Sequence, residues 1–169
     1  MSPGRLTTRC SGLASLAAEL DIVRCARGKH LSIVVALLVA LVLALLSGLH
    51  VYWAVGGRWG KQAAIPERGG RPALHPSALM TLSVAAALFV AALLVLARVG
   101  LVAGALGTSL FVWPTLLLGV LFIARAVGEF NLVGFFKRVR GTTFARWDTR
   151  VFSPLCLILG SSIIWLSLK

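Results

Sequence analysis

The stretch FARWDTRVFSP, Phe144 to Pro154, holds the densest chemistry in the chain. Asp148 stands between Arg146 and Arg150, and a few residues earlier come Lys137, Arg138 and Arg140. In an extended segment, alternate residues point the same way, so two guanidinium groups would flank the Asp148 carboxylate. Such an arrangement serves either as a brace tying a loop to the helix that follows or as a binding-site carboxylate. The residue types favour the brace, because structural ion pairs often resemble sites. Arg125 and Glu129 fall one helical turn apart and form a second candidate pair. His50, with Ser47 one turn behind it and Trp53 one turn ahead, is the third titratable group of interest. With His75 it could ligate haem or a metal. However, no His-x-x-His or Glu-x-x-His pair shares a helix, and an interfacial histidine bonded to a neighbour is the simpler reading. No metal and no cofactor is predicted. The chain also contains no G-x-S-x-G, no H-E-x-x-H, no Walker sequence and no G-x-G-x-x-G.

These residues have to be positioned by elements that are mostly oil. The 169 residues are 59% hydrophobic and 13% charged, and the mean hydropathy is +0.94. That balance belongs to a membrane protein, since soluble domains carry about a quarter charged residues. A net charge of +12 could suggest nucleic acid, but the basic residues sit in short stretches between long uncharged ones. Membrane insertion explains that layout and nucleic acid does not. Cys10, Cys25 and Cys156 show no C-x-x-C spacing and read as free thiols.

A crossing helix needs about 20 apolar residues. Four spans meet or approach that length: Leu31 to Val55, Pro76 to Ala97, Gly100 to Ala124, and a shorter one, Ser153 to Leu168. Ser153-Pro154 reads as a helix start, with the hydroxyl as N-cap and proline in the first turn. Residues 1–30 form an N-terminal extension, amphipathic through Leu13, Leu16, Leu20 and Val23 or else disordered. The expected fold is therefore all-α, a four-helix transmembrane bundle over residues 31–168. Ala36, Ala40, Ala44 and Gly48 offer a small-residue packing stripe, with weaker ones at Gly100, Gly104 and Thr108 and at Ser83, Ala87 and Ala91. Pro114 lies mid-span in the third segment and is expected to kink it, with Trp113 packing beside it.

With four crossings, the polar loops 56–75 and 125–152 share one membrane face. Ten basic residues fall there: Arg58, Lys61, Arg68, Arg71, Arg125, Lys137, Arg138, Arg140, Arg146 and Arg150. Seven fall on the other: Arg5, Arg9, Arg24, Arg27, Lys29, Arg98 and Lys169. The excess favours the two-loop face as cytoplasmic. Tyr52, Trp53 and Trp147 suit an interfacial belt there, and Lys137, Arg138, Arg140, Arg146 and Arg150 suit attraction to anionic headgroups.

HVYWAVGGRWG followed by AIPE, and later RAVGEF, GFFKR and FARWDTRVFSPLC, resemble a family of small bacterial membrane proteins catalogued only as a domain of unknown function. The resemblance covers roughly His50 to Gly160. It implies a four-helix integral membrane protein and carries no activity, catalytic residue or cofactor.

The sequence thus points to a non-enzymatic, multi-pass protein of a bacterial plasma membrane. Its basic-aromatic face would engage an anionic lipid headgroup, an anionic metabolite or a partner protein. Arg125, Glu129 and Asp148 would brace that face, and a second copy of the chain is a further candidate partner. The alternative is a small membrane enzyme acting on an isoprenoid, quinone or phospholipid, with Asp148 or Glu129 as acid or base and His50 assisting.

Overall fold

The computed structural model describes residues 4–60, 67–68, 71–72, 76–103, 107–128, 134–137 and 142–169. The chain divides into two compact units, Met1–Val34 and Val35–Lys169. Helix α1 (Gly4–Ala54) provides the helical part of the first unit and opens the second. A minimal antiparallel ladder of β1 (Glu67–Arg68) and β2 (Arg71–Pro72) follows. Then come α2 (Ala78–Arg98), a 3-10 turn at Thr108–Phe111 leading into α3 (Val112–Val127), α4 (Thr143–Trp147), a π turn at Asp148–Phe152 and α5 (Ser153–Ser167).

Among the described residues, four helical segments are long and apolar enough to cross a membrane: Ala26–Ala54, Ala78–Arg98, Thr108–Val127 and Thr143–Ser167. The fold of the second unit is an all-α, four-helix transmembrane bundle. Its core joins Ala36, Val39, Ala40 and Leu43 of α1 to Ala91, Ala92 and Val95 of α2 and to Leu159, Ile163 and Leu166 of α5. Leu118 and Phe122 of α3 pack against this cluster. Leucines such as Leu38, Leu45 and Leu117 stay exposed on the outside, as lipid contact requires.

The packing stripe of α1 differs from the expected one. Ala36 and Ala40 are buried, but Ala44 and Gly48 are exposed, and Leu43 and Ser47 take their places. The reason is geometric. Residues four apart advance about 400° around a helix, so a strict four-residue repeat drifts about 40° per step. After three steps the stripe has turned away from its neighbour, and the buried line must step back by three, as 36, 39–40, 43 and 47 do. On α2 the same holds: Ser83 and Ala87 are exposed while Ala91 is buried. The Ser47 hydroxyl donates to the Ala85 carbonyl oxygen at 2.8 Å, a buried bond between α1 and α2.

Helices α3 and α5 approach each other closely. A Cβ built at Gly119 would sit 3.1 Å from the Gly160 carbonyl oxygen, and one at Gly160 would sit 2.9 Å from that of Gly119. Only hydrogen fits between these backbones. Dispersion contacts between closely apposed helices replace the hydrophobic drive that lipid does not supply.

Two span boundaries also differ from expectation. The third span starts at Thr108, not Gly100, because Gly100 and Gly107 both take φ of +78° and belong to the turn after α2. Gly104 lies outside the described residues. Pro114 consequently falls in the first turn of α3, where a missing N–H has no intrahelical partner to lose, and no mid-span kink is needed. Trp113 is exposed on the outer surface rather than packed. The fourth span starts ten residues before Ser153, at Thr143. The Thr142 hydroxyl caps it by accepting from the Ala145 N–H at 3.0 Å. The helix then runs on through the π turn, in which the Ser153 N–H reaches back five residues to the Asp148 carbonyl. Pro154 does fall in the first turn of α5, as expected, although the cap position belongs to Phe152 and the span begins earlier. The proline lies one residue after a widened turn, which relaxes the ladder where proline cannot donate. The resulting segment of 25 residues is no longer short for a bilayer.

At the far ends of α2 and α5, the Arg98 guanidinium donates to the Ser167 carbonyl oxygen at 3.1 Å. The C-terminal ends of these two helices therefore lie together, and the N-terminal ends of both point to the opposite end of the bundle.

Candidate functional site: a buried aspartate at the loop face

Asp148 is fully buried, and its two carboxylate oxygens receive three donors. The Lys137 ammonium bonds Oδ2 at 2.9 Å, the Gly134 backbone N–H bonds the same oxygen at 2.8 Å, and the Arg125 guanidinium bonds Oδ1 at 3.2 Å. Lys137 is itself only 3% exposed and uses its remaining protons on the Gly134 carbonyl oxygen at 3.0 Å and the Thr149 hydroxyl at 2.7 Å. Thr149 passes the chain on by donating to the Ala145 carbonyl oxygen at 3.0 Å. Every described partner of the carboxylate is a donor, which is the pattern an anion requires.

Local sequence explains how these groups meet. Gly128 and Gly134 take φ of +83° and +91°, so the chain leaves α3 and returns beside it within a few residues. A Cβ at Gly134 would collide with the carbonyl of Val127 and the backbone of Gly128. The Phe135 N–H then bonds the Ala126 carbonyl oxygen at 3.0 Å, pinning the returning strand of chain against the end of α3. Only glycine can occupy such a turn, and only there can its N–H face Asp148.

The expected partners of Asp148 are therefore replaced. Residues 143–152 are helical rather than extended, so Arg146 and Arg150 do not converge on the carboxylate. Arg125 and Lys137 take that place from 23 and 11 residues earlier. Arg125 was expected to pair with Glu129. Its described ion pair goes to Asp148, and Glu129 lies outside the described residues. Lys137 was expected to be a headgroup cation. Burial and saturation remove it from that role, because all three ammonium protons have protein acceptors. Arg138 and Arg140 lie outside the described residues.

Arg146 and Arg150 sit on the opposite side of this helical turn. With Thr143, Trp147 and Val151 they line an open groove of about 290 Å³. The lining residues recur at helical spacing, while Phe144, Ala145 and Asp148 form the buried side. Neither guanidinium group has a hydrogen-bond or ion-pair partner among the described residues.

The other aromatic group closes α1. The Trp53 indole N–H donates to the Trp59 carbonyl oxygen at 2.8 Å, and the Gly57 N–H bonds the Tyr52 carbonyl oxygen at 2.9 Å. The Tyr52 ring lies over Gly57, so a side chain there would have to displace it, and Gly56 turns the chain at φ +100°. His50 stands edge-on to Trp53 with ring centroids 5.1 Å apart, and its Nδ1 lies 2.7 Å from the Leu46 carbonyl oxygen. A carbonyl only accepts, so Nδ1 carries the proton. His75, the other half of the histidine pair, lies outside the described residues.

Residues 43–163 match a family model described as a protein of unknown function, DUF3995. The chain belongs to that family. The DUF3995 region takes in the Asp148 cluster, the groove beside it, the Gly119–Gly160 crossing and the aromatic cap of α1. No curated protein and no solved structure matches the chain.

Proposed function

We propose that this DUF3995 protein works by binding rather than by catalysis, in a bacterial plasma membrane. Its loop face engages an anionic group, and Asp148 braces that face. The observation that carries the reading is the full coverage of Asp148: no exposure, three donors, and a lysine that is buried with it. A general acid or base needs a lone pair or proton within reach of substrate. Here both oxygens are occupied by the protein itself. Charged groups at membrane depth persist when they pair with one another, and this cluster ties the end of α3, the returning loop and the start of the last span into one unit. The excess of basic residues on the two-loop face supports its placement in the cytoplasm, next to an anionic leaflet.

The experiment is native mass spectrometry of the protein purified in mild detergent, with an absorption spectrum of the same sample. The expected result is co-purifying anionic phospholipid and no visible absorption band. A stoichiometric haem or quinone would contradict the reading and favour a cofactor-dependent enzyme.

A further inference from the structure

The groove on the outer side of α4 and the π turn has a composition that selects its occupant. Thr143, Arg146, Trp147, Arg150 and Val151 line it, which puts two guanidinium groups one helical turn apart around an indole and an aliphatic side chain. Asp148, the nearest carboxylate in sequence, cannot neutralise them, because Arg125, Lys137 and the Gly134 N–H hold both its oxygens on the buried side. Among the described residues no carboxylate compensates this pair of guanidinium groups, and Trp147 and Val151 give the groove an apolar floor.

Its depth follows from helix length. Counting back from Leu168 at about 1.5 Å per residue, Arg150 lies about 27 Å and Arg146 about 33 Å along the axis. A hydrocarbon core is about 30 Å thick, so the two arginines straddle its edge. Trp147 lies between them, about half exposed, at the depth where indoles partition. A free anion in water would meet the Arg146 end alone. A phospholipid puts its phosphate at this boundary and its acyl chain alongside Val151.

We propose that Arg146 and Arg150 clamp the phosphodiester of one anionic phospholipid, with Trp147 and Val151 against its glycerol and upper acyl chain. This rests on the anionic-binding reading above and assigns that reading a site and a ligand class. Guanidinium suits the role because its planar fork can offer paired donors to the two non-bridging phosphate oxygens. Phosphatidylglycerol fits better than phosphatidylcholine, because the quaternary ammonium of choline would meet the same two cations.

The test is titration of phosphatidylglycerol, phosphatidylcholine or glycerol phosphate against wild type, Arg146→Gln, Arg150→Gln, the double variant and Arg58→Gln. Native mass spectrometry reads the bound species, and a thermal scan checks that each variant folds. At about 1 kcal/mol per well-placed cation, each single change is expected to weaken phosphatidylglycerol binding roughly 5-fold and the pair roughly 30-fold. Arg58→Gln is expected to leave it unchanged. Equal losses in Arg58→Gln and the groove variants would make the attraction diffuse and overturn the clamp, while the broader anionic reading survives. Binding of glycerol phosphate as tight as that of the lipid would overturn the lipid assignment. No preference for phosphatidylglycerol over phosphatidylcholine in wild type would overturn both. A double variant that fails to fold would leave the two singles to decide, since each retains one guanidinium.

Discussion

Replacing Asp148 by Asn tests the brace most sharply, because shape is kept while charge is lost. The amide can still accept at one of the two oxygen positions, but its NH2 group faces the Lys137 ammonium or the Arg125 guanidinium at the other, 2.9 and 3.2 Å from the original oxygens. Lys137, only 3% exposed, is left as a buried cation without its counter-ion. Breaking a buried pair in this way costs about 3–5 kcal/mol. For a chain of this size, each kcal/mol moves the melting temperature by about 2–4 °C, so a fall of about 6–20 °C is expected. Tryptophan fluorescence during heating in detergent, or the loss of a monodisperse peak after heating, reads it. Lys137→Met alone should cost less, since Asp148 keeps Arg125 and the Gly134 N–H. In Asp148→Asn/Lys137→Met no buried ammonium remains, so the double variant should be more stable than the two single losses added together, by about 0.5–3 kcal/mol. An Asp148→Asn protein melting within about 1 °C of wild type, or strictly additive singles, would refute the brace. An unchanged melt with a lost enzymatic activity would point to catalysis instead.

Three further outcomes follow from the packing. Gly134→Ala should destabilise by at least about 2 kcal/mol, because φ of +91° and the collision with Val127 and Gly128 both oppose a methyl group; a thermal scan checks it. Gly160→Val should wedge α3 from α5 and lower the melting temperature more than the same change at Gly48, where a side chain meets open space. Ser47→Ala should cost only about 0.6 kcal/mol, since the Ala85 carbonyl that loses the hydroxyl lies within a helix, and a shift of a few degrees at most is the readout.

The span count was legible because lipid sets a length and an apolarity that composition alone reveals. The boundaries were less so, for separate reasons. Gly100 and Gly107 belong to a stretch of sequence as apolar as the helix that follows, and hydropathy does not register the positive φ that takes each of these two glycines out of a helical ladder. Ser153-Pro154 has the chemistry of a helix start, yet a π turn carries the helix past it. Asp148 was visible as the key residue, because a lone carboxylate beside an oily span has to be paired. Its partners were not visible. Sequence offers the adjacent Arg146 and Arg150, whereas the fold supplies Lys137 and Arg125 through a turn whose two glycines give no sign of what they bring together. The same turn buried Lys137, which in the run GFFKR resembles any surface cation. The Gly119–Gly160 approach went unread because each helix contributes one glycine, and the single small-residue step beside them, Thr115 to Gly119, is too short to stand out as a stripe.

The account rests most directly on whether the intact protein distinguishes an anionic headgroup from a zwitterionic one. Wild-type protein reconstituted in nanodiscs of equal phosphatidylglycerol and phosphatidylcholine, then released from the disc inside a mass spectrometer, reports which lipid stays bound. The account predicts phosphatidylglycerol retained in excess, with one copy per chain outlasting the rest as collision energy rises. Retention of both lipids in the proportion supplied would contradict it.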